Sequence, residues 1–340
     1  MSDNVSTEKQ QQQMKEIFIC DDIWYGIFAF IHPLELGLKM ALISDRLDVL
    51  VDVHFKSRKW SLGLLDVCRA IGGKGAEIAK SINSKRLPIP QGPVPNSVIG
   101  FERIWISYVD KSVIEFLQRI RRLFDSSGTN VSIPNAHEES PVWGIICQKI
   151  WPFVNDNICR FHLYECQFKR LRQFSPAILR NCPNLRSISC STICPEFPAK
   201  DDADASFGQA LAKWLITPRG DGFPKILHFD LSPNMEGLKR SFDNASEPFI
   251  FILTFLNVLS EQPFELKNTL TRERLTLRRF NKYKWLLVRC PIVRDNDKWA
   301  KWEKEAAEVE YWRQWNNFCI SFKETADIGG GMGAKRCLIS

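Results

Sequence analysis

Apolar residues recur along this chain with two different periods. Short pieces place them at alternate positions: Ile104/Ile106, Val131/Ile133, Phe161/Leu163, Ile188/Cys190 and Leu227/Phe229. That alternation predicts half-buried strands. The first members lie 27, 30, 27 and 39 residues apart. Between them the period is helical. Val113, Leu117, Ile120 and Phe124 share one face, as do Val142, Ile146 and Ile150, and then Ala210, Leu211, Trp214 and Leu215. One strand and one helix per roughly 20–30 residues is the rhythm of a leucine-rich-repeat-like solenoid. It is also the rhythm of a plain α/β domain with a parallel sheet. The consensus Leu/Asn ladder is mostly absent, so a solenoid here would be irregular.

After Pro248 the pattern changes. "FIFILTFLNVL", Phe249–Leu259, is too short to span a bilayer and predicts a buried strand or a short core helix. "PFELKN", "RLTLRRF" and "KWLLVRC" alternate at close spacing, which predicts an antiparallel meander. A helix follows, with Trp299, Trp302, Ala306 and Val309 in a stripe and Asp297 near its start, and "NFCISFK" reads as a last strand. "LPIPQGPVPN", Leu87–Asn96, carries four prolines and reads as a semi-rigid connector between a helical front end and the rest.

Composition narrows the class. The chain has 340 residues, 44% hydrophobic and 25% charged, which is ordinary globular composition with room for more than one domain. The formal charge is +7, spread along the sequence apart from a denser stretch at Arg272–Arg289, read first as strand surface. No apolar segment follows a basic start, so no secretory signal is expected and a cytoplasmic or nuclear location is. Eleven cysteines, odd in number and irregularly spaced, then read as reduced thiols packed as small hydrophobes.

The sequence carries no phosphate-binding loop, metalloprotease helix, nucleophile elbow or kinase set. Cys159, His162, Cys166, Cys182, Cys190 and Cys194 fall within 36 residues, but no Cys-x-x-Cys pair occurs, and buried thiols outweigh zinc. Neither a metal nor a cofactor is expected, and a non-catalytic protein is. A cleft joining His162 to any of the cysteines would revive an enzyme.

The front end is the most informative stretch. In Ile19–Phe55, Asp21 and Asp22 can start a helix, where carboxylates meet the positive end of its dipole. Ile23, Ile27 and Phe30 fall on one face of it, and Trp24, Phe28 and Ile31 on another; His32-Pro33 ends it. A second helix is expected through Leu36, Met40 and Ile43, and a third through Leu47, Leu50 and Val51. Three short helices with apolar residues on several faces cannot hide them all, and an exposed apolar patch of several hundred Å² marks a partner surface.

This layout resembles the F-box, the helical module that docks on the Skp-type adaptor of SCF ubiquitin ligases. The family pattern is Leu-Pro, an Ile-x-x-x-Ile-Phe helix, an acidic-Leu step and a Leu-Val-Ser-x-Arg ending. The matching positions here are Ile19-Cys20, Ile23 to Ile27-Phe28, Glu35-Leu36 and Leu42-Ile43-Ser44-Asp45-Arg46. Cys20 stands in place of the usual proline, which would loosen the adaptor contact, and the middle spacing is one residue longer. "LRQFSPAILRNCPNLRSI", "KWLITPRGDGFPK" and "LTLRRFNKYKWLLVRCPI" resemble the body of F-box-containing proteins of plant-parasitic cyst nematodes, over about residues 17–326.

The resemblance implies a non-catalytic substrate-recognition subunit. Its partners would be a Skp-type adaptor and cullin at one end and an unknown protein substrate at the other, with no nucleic acid. It implies adaptor contacts through Ile23, Ile27, Phe28, Leu36, Leu42, Ile43 and Leu47. The expected organisation is a disordered tail (1–16), an F-box module (17–60), a connector (61–98), an irregular leucine-rich-repeat-like α/β body (99–248), a C-terminal α+β segment (249–326) and a flexible tail (327–340). That tail ends in Cys337-Leu338-Ile339-Ser340, a C-a-a-X pattern favouring farnesylation of Cys337 and weak, reversible membrane association. Two rivals stand beside this reading: a scaffold whose front helices pack on its own body, and a nucleic-acid-binding protein that uses Arg272–Arg289.

Overall fold

The computed structural model of the protein describes residues 18–31, 35–57, 60–80, 86–125, 128–134, 142–231, 233–256, 262–308, 316–322 and 328–329. The C-a-a-X pattern with Cys337, the His32-Pro33 break and Val309 lie outside them. The chain divides into two compact units, 1–60 and 61–340.

The first unit is helical. Helix α1 (Asp21–Phe28) carries Asp21 and Asp22 in its first turn. The expected second helix is a five-residue π-helical turn, Leu36–Met40. Helix α2 (Asp45–Ser57) follows, its start capped by the Ser44 hydroxyl, which accepts from the Leu47 amide at 3.3 Å.

The second unit is an α/β domain built on one mixed sheet of 13 strands. In chain order these are β1 (Leu64–Arg69), β2 (Ala76–Ala79), β3 (Leu87–Pro88), β4 (Arg103–Ile106), β5 (Thr129–Ser132), β6 (Ile158–His162) and β7 (Ser187–Ser189). They continue with β8 (Lys225–Phe229), β9 (Phe251–Leu256), β10 (Phe264–Asn268), β11 (Glu273–Arg279), β12 (Lys284–Pro291) and β13 (Asn317–Ile320). Across the sheet the order is β10-β11-β12-β9-β8-β7-β6-β5-β13-β4-β1-β2-β3. The strands from β9 through β1 in that order pair in parallel. Antiparallel strands close both ends: β2 and β3 at one, β12, β11 and β10 at the other.

All five alternating segments between Ile104 and Phe229 are strands of the parallel run, and the segments of helical period are helices. Helix α3 (Lys111–Arg119) starts where the Asp110 carboxylate accepts from the Val113 amide at 3.1 Å. The stretch 142–154 is a helix broken by a π-helical turn at Ile146–Ile150. Helices α4 (Glu165–Phe174), α5 (Phe207–Ile216) and α6 (Met235–Asp243) follow β6, β7 and β8. A capping box between Ser206 and Gln209 starts α5. "FIFILTF" is a strand rather than a core helix: β9 lies between β8 and β12 with Phe251 through Phe255 all buried, which explains its unbroken apolar run. Helix α7 (Asn296–Ala307) lays Trp299, Trp302, Ala306 and Ala307 on Ile226, Ile252, Leu286 and Val288. Its cap is Asp295, whose carboxylate accepts from the Lys298 amide at 3.0 Å; Asp297 sits inside the first turn.

One expectation is corrected. The segment 61–98 is no free connector, because it supplies β1, β2 and β3 to the sheet. Its Pro-rich end is fastened by two arginines flanking the end of α3. Arg119 donates to the Pro90 carbonyl at 2.7 Å, and Arg122 donates to those of Val98 at 2.7 Å and Pro95 at 2.5 Å. Prolines lack amide donors, but their carbonyls remain strong acceptors, and guanidinium forks fit them. The expected last strand is present and stands apart from the C-terminal meander. β13 inserts in parallel between β4 and β5, far from β12. Asn316, just before it, is buried in the left-handed region (φ 56°). Its side-chain oxygen accepts from the Phe101 amide at 3.0 Å and its Nδ2 donates to the Leu123 carbonyl at 3.1 Å.

Candidate docking surface

The front helices complete a small core of their own. Phe28, Leu36, Leu47, Leu50, Val51 and Phe55 are buried together, with Trp24, Tyr25, Ile31 and Met40 partly buried against them. His54 is also buried here, its ring 4.8 Å from Trp60 and 5.4 Å from Phe28. Arg46 ties the chain entry to α2: it donates to the Ile19 carbonyl and to Asp21, each at 2.6 Å, and lies 4.0 Å from the Phe18 ring centroid.

This core divides the two faces of α1. The side with Trp24, Phe28 and Ile31 turns inward, and the side with Ile23, Ile27 and Phe30 turns out. Ile23 is 55% exposed, Leu42 79% and Ile43 64%. On α2, Val49 and Val53 are exposed one helical turn apart, while Leu47, Leu50 and Val51 face inward. A methyl group added at Gly26, on α1, would meet nothing within 4 Å.

The seven residues expected to touch an adaptor therefore separate. Ile23, Ile27, Leu42 and Ile43 are exposed; Phe28, Leu36 and Leu47 lie in the private core and cannot touch a partner while it stays packed. Phe18, Phe30, Val49 and Val53 are exposed as well and were not in that set. Ile23, Ile27 and Phe30 already shared a face by helical period. Val49 and Val53 carried only a four-residue spacing, which a core-facing pair shows equally.

The thiols sought for metal chemistry are elsewhere. Among the described residues no group of three or more His, Cys, Asp or Glu side chains is placed to hold a metal ion. Burial pushes the Cys182 thiol up to about 12 and the Cys194 thiol up to about 11, and raises that of Cys190 further. A cavity of about 160 Å³ at the carboxyl ends of β6–β9 does bring His162 and Cys190 to one wall, with His228 and Asp230. Yet the Cys190 thiol donates to the Ile193 carbonyl at 3.3 Å and stays protonated, which removes the thiolate that nucleophilic chemistry needs. Burial lowers the pKa of His162, partly offset by Asp230.

Part of the basic stretch is engaged within the protein. Arg278 donates to Glu303 at 2.5 Å and Arg289 is buried against Glu273, so these two are not free for phosphates. Among the described residues no helix is long and apolar enough to cross a membrane. No protein-family model matches the chain, and no curated protein or solved structure matches it.

Proposed function

We propose that this protein is a non-catalytic substrate-recognition subunit of an SCF-type ubiquitin ligase. Its helical unit docks on a Skp-type adaptor, the adaptor links it to a cullin, and the α/β unit holds a protein target. In this reading the parallel run of β4–β9 with its intervening helices is an irregular leucine-rich-repeat-like body.

One observation carries the reading. The helical unit fills its core with Phe28, Leu36 and Leu47 and still leaves Ile23, Ile27, Leu42 and Ile43 exposed. These four are the docking residues of the proposal, and the buried three only hold their scaffold. Covering several hundred Å² of apolar surface at ~25 cal/mol per Å² gives on the order of 10 kcal/mol before the cost of association, which is of similar size, so net affinity depends on how well these four side chains fit the partner.

The test is affinity purification of the wild-type chain beside Ile43→Asp. Adaptor and cullin are expected with the wild type and lost with the variant. Their absence from the wild type sinks the proposal.

A further inference from the structure

In the α/β unit, the ends of three neighbouring strands line an open cavity of about 520 Å³. It lies where β9 begins, β11 begins and β12 ends. Pro248, Phe249, Ile250 and Pro291 line it, and Arg272 stands at its lip. Size and lining are those of a ligand pocket: apolar walls with few polar groups.

Three features mark it as more than a packing gap. The wall is fixed from behind: Arg289 is buried beneath it, 3.4 Å from the Phe249 ring centroid, and is gripped by Glu273. A cation held against an aromatic face stiffens that face. Two lining residues, Thr271 and Glu273, also keep buried oxygens (Oγ1 and Oε1) with no hydrogen-bond partner among the described residues. Both belong to residues that line the cavity, where a donor of a bound peptide can pair with them.

The third feature is Arg272 itself. It closes the β10–β11 hairpin with φ 56°, in the left-handed region. Turns of this kind favour Gly or Asn there, because a β-carbon is strained. Arg is a costly choice unless its side chain is used, and strain held in place at one residue points to function. The side chain is exposed, and its guanidinium makes no hydrogen bond or ion pair among the described residues. The other arginine of the cavity, Arg219, is taken by Asp221 at 2.5 Å.

We propose that this cavity binds a peptide segment of a partner protein, an apolar side chain filling it and an adjacent carboxylate pairing with Arg272. A peptide rather than a small molecule is the occupant because the apolar lining runs out onto the protein surface. Ile292 and Val293, both part of the lining, are 40% and 91% exposed, so an extended chain crossing the open side covers them more fully than a compact ligand does. The site rests on the proposed function only in taking a protein as target.

Titrating the full chain with acetyl-Phe-Asp-amide, acetyl-Phe-Asn-amide and acetyl-Phe-Lys-amide, followed by NMR, tests it. The Asp peptide should bind at least tenfold more tightly than the Lys peptide, and added salt should narrow the gap. Arg272→Gly should raise the melting temperature by releasing the strained turn and should abolish the discrimination. Val293→Asp, at an exposed position, should weaken the Asp peptide without unfolding the protein. Equal binding of the three peptides, or none at millimolar concentration, overturns the proposal. Tighter binding of 3-phenylpropionate than of the Asp peptide also overturns it, assigning the cavity to small carboxylates. Ile43→Asp should leave peptide binding unchanged, so loss of adaptor docking and loss of this site read out separately.

Discussion

Arg289 and Glu273 face each other inside the antiparallel end of the sheet, both sealed from water. Glu273 Oε2 accepts from Arg289 Nε at 3.0 Å and from Nη2 at 2.6 Å, and each side chain is 1% exposed. Leu275 is the direct cross-strand partner of Arg289, so Glu273 reaches it diagonally from β11 to β12. Burial lowers the arginine's pKa, and the hydrogen bond and charge of Glu273 offset only part of that. Removing one partner strands a buried charge, so Arg289→Met should cost about 3–5 kcal/mol. Adding Glu273→Leu to that variant should recover most of the loss. Urea denaturation of the single and double variants measures this; equal stability of wild type and Arg289→Met would remove the pair from the energetics.

Asn316 sets the place of the inserted strand. Its side chain joins Phe101 and Leu123, and its backbone accepts from the Asn130 amide at 3.0 Å. Asn316→Ala combines left-handed backbone strain with two unmatched buried backbone groups, and should cost about 2–4 kcal/mol. Asn316→Gly should recover only the backbone part. Thermal melts order the three proteins as wild type, Gly, Ala; an Ala variant as stable as wild type contradicts the role.

His228 gives the fold a pH dependence of definite sign. Burial lowers its pKa to about 3, helped by Arg160 and Lys284, and its Nδ1 pairs with the Thr254 hydroxyl. The ring stays neutral in the fold while the unfolded chain takes up a proton below its ordinary value near 6.5. Between those two values the unfolded state binds more protons, so stability falls as pH falls. The full contribution is present above the unfolded value. From pH 7 to pH 5 the loss is about 2 kcal/mol for this one group. His162, lowered in the same direction, adds to it. Denaturation midpoints at both pH values should differ less in His228→Gln; an unchanged difference assigns the effect to other groups.

Local pattern revealed much of this fold, and pairing across the chain revealed little. Period-two alternation marked the strands at Ile104, Val131, Phe161, Ile188 and Leu227, and helical period marked what lies between them. Alternation does not name a strand's neighbours. The site of β13 depends on Asn316 meeting Phe101, 215 residues earlier in the sequence. The Pro-rich segment reads as free for the same reason: what fastens it are Arg119 and Arg122, which look like ordinary surface cations in the sequence.

In the helical unit, periodicity separated the two apolar faces of α1 but could not rank them. The motif pattern then drew Phe28 and Ile27 into one contact set, although one is core and the other surface. The Arg272 cavity left almost no trace in the sequence. Its parts come from three strand ends, and only backbone geometry shows that an arginine occupies a left-handed turn.

Docking of the helical unit is tested most directly by binding of the purified full chain to a purified Skp-type adaptor, with Ile43→Asp and Ile23→Asp as surface variants. Micromolar or tighter binding is expected, falling at least tenfold in each variant while the melting temperature holds. No binding by the wild type, or affinity unmoved by both substitutions, contradicts the claim that this exposed face receives the adaptor.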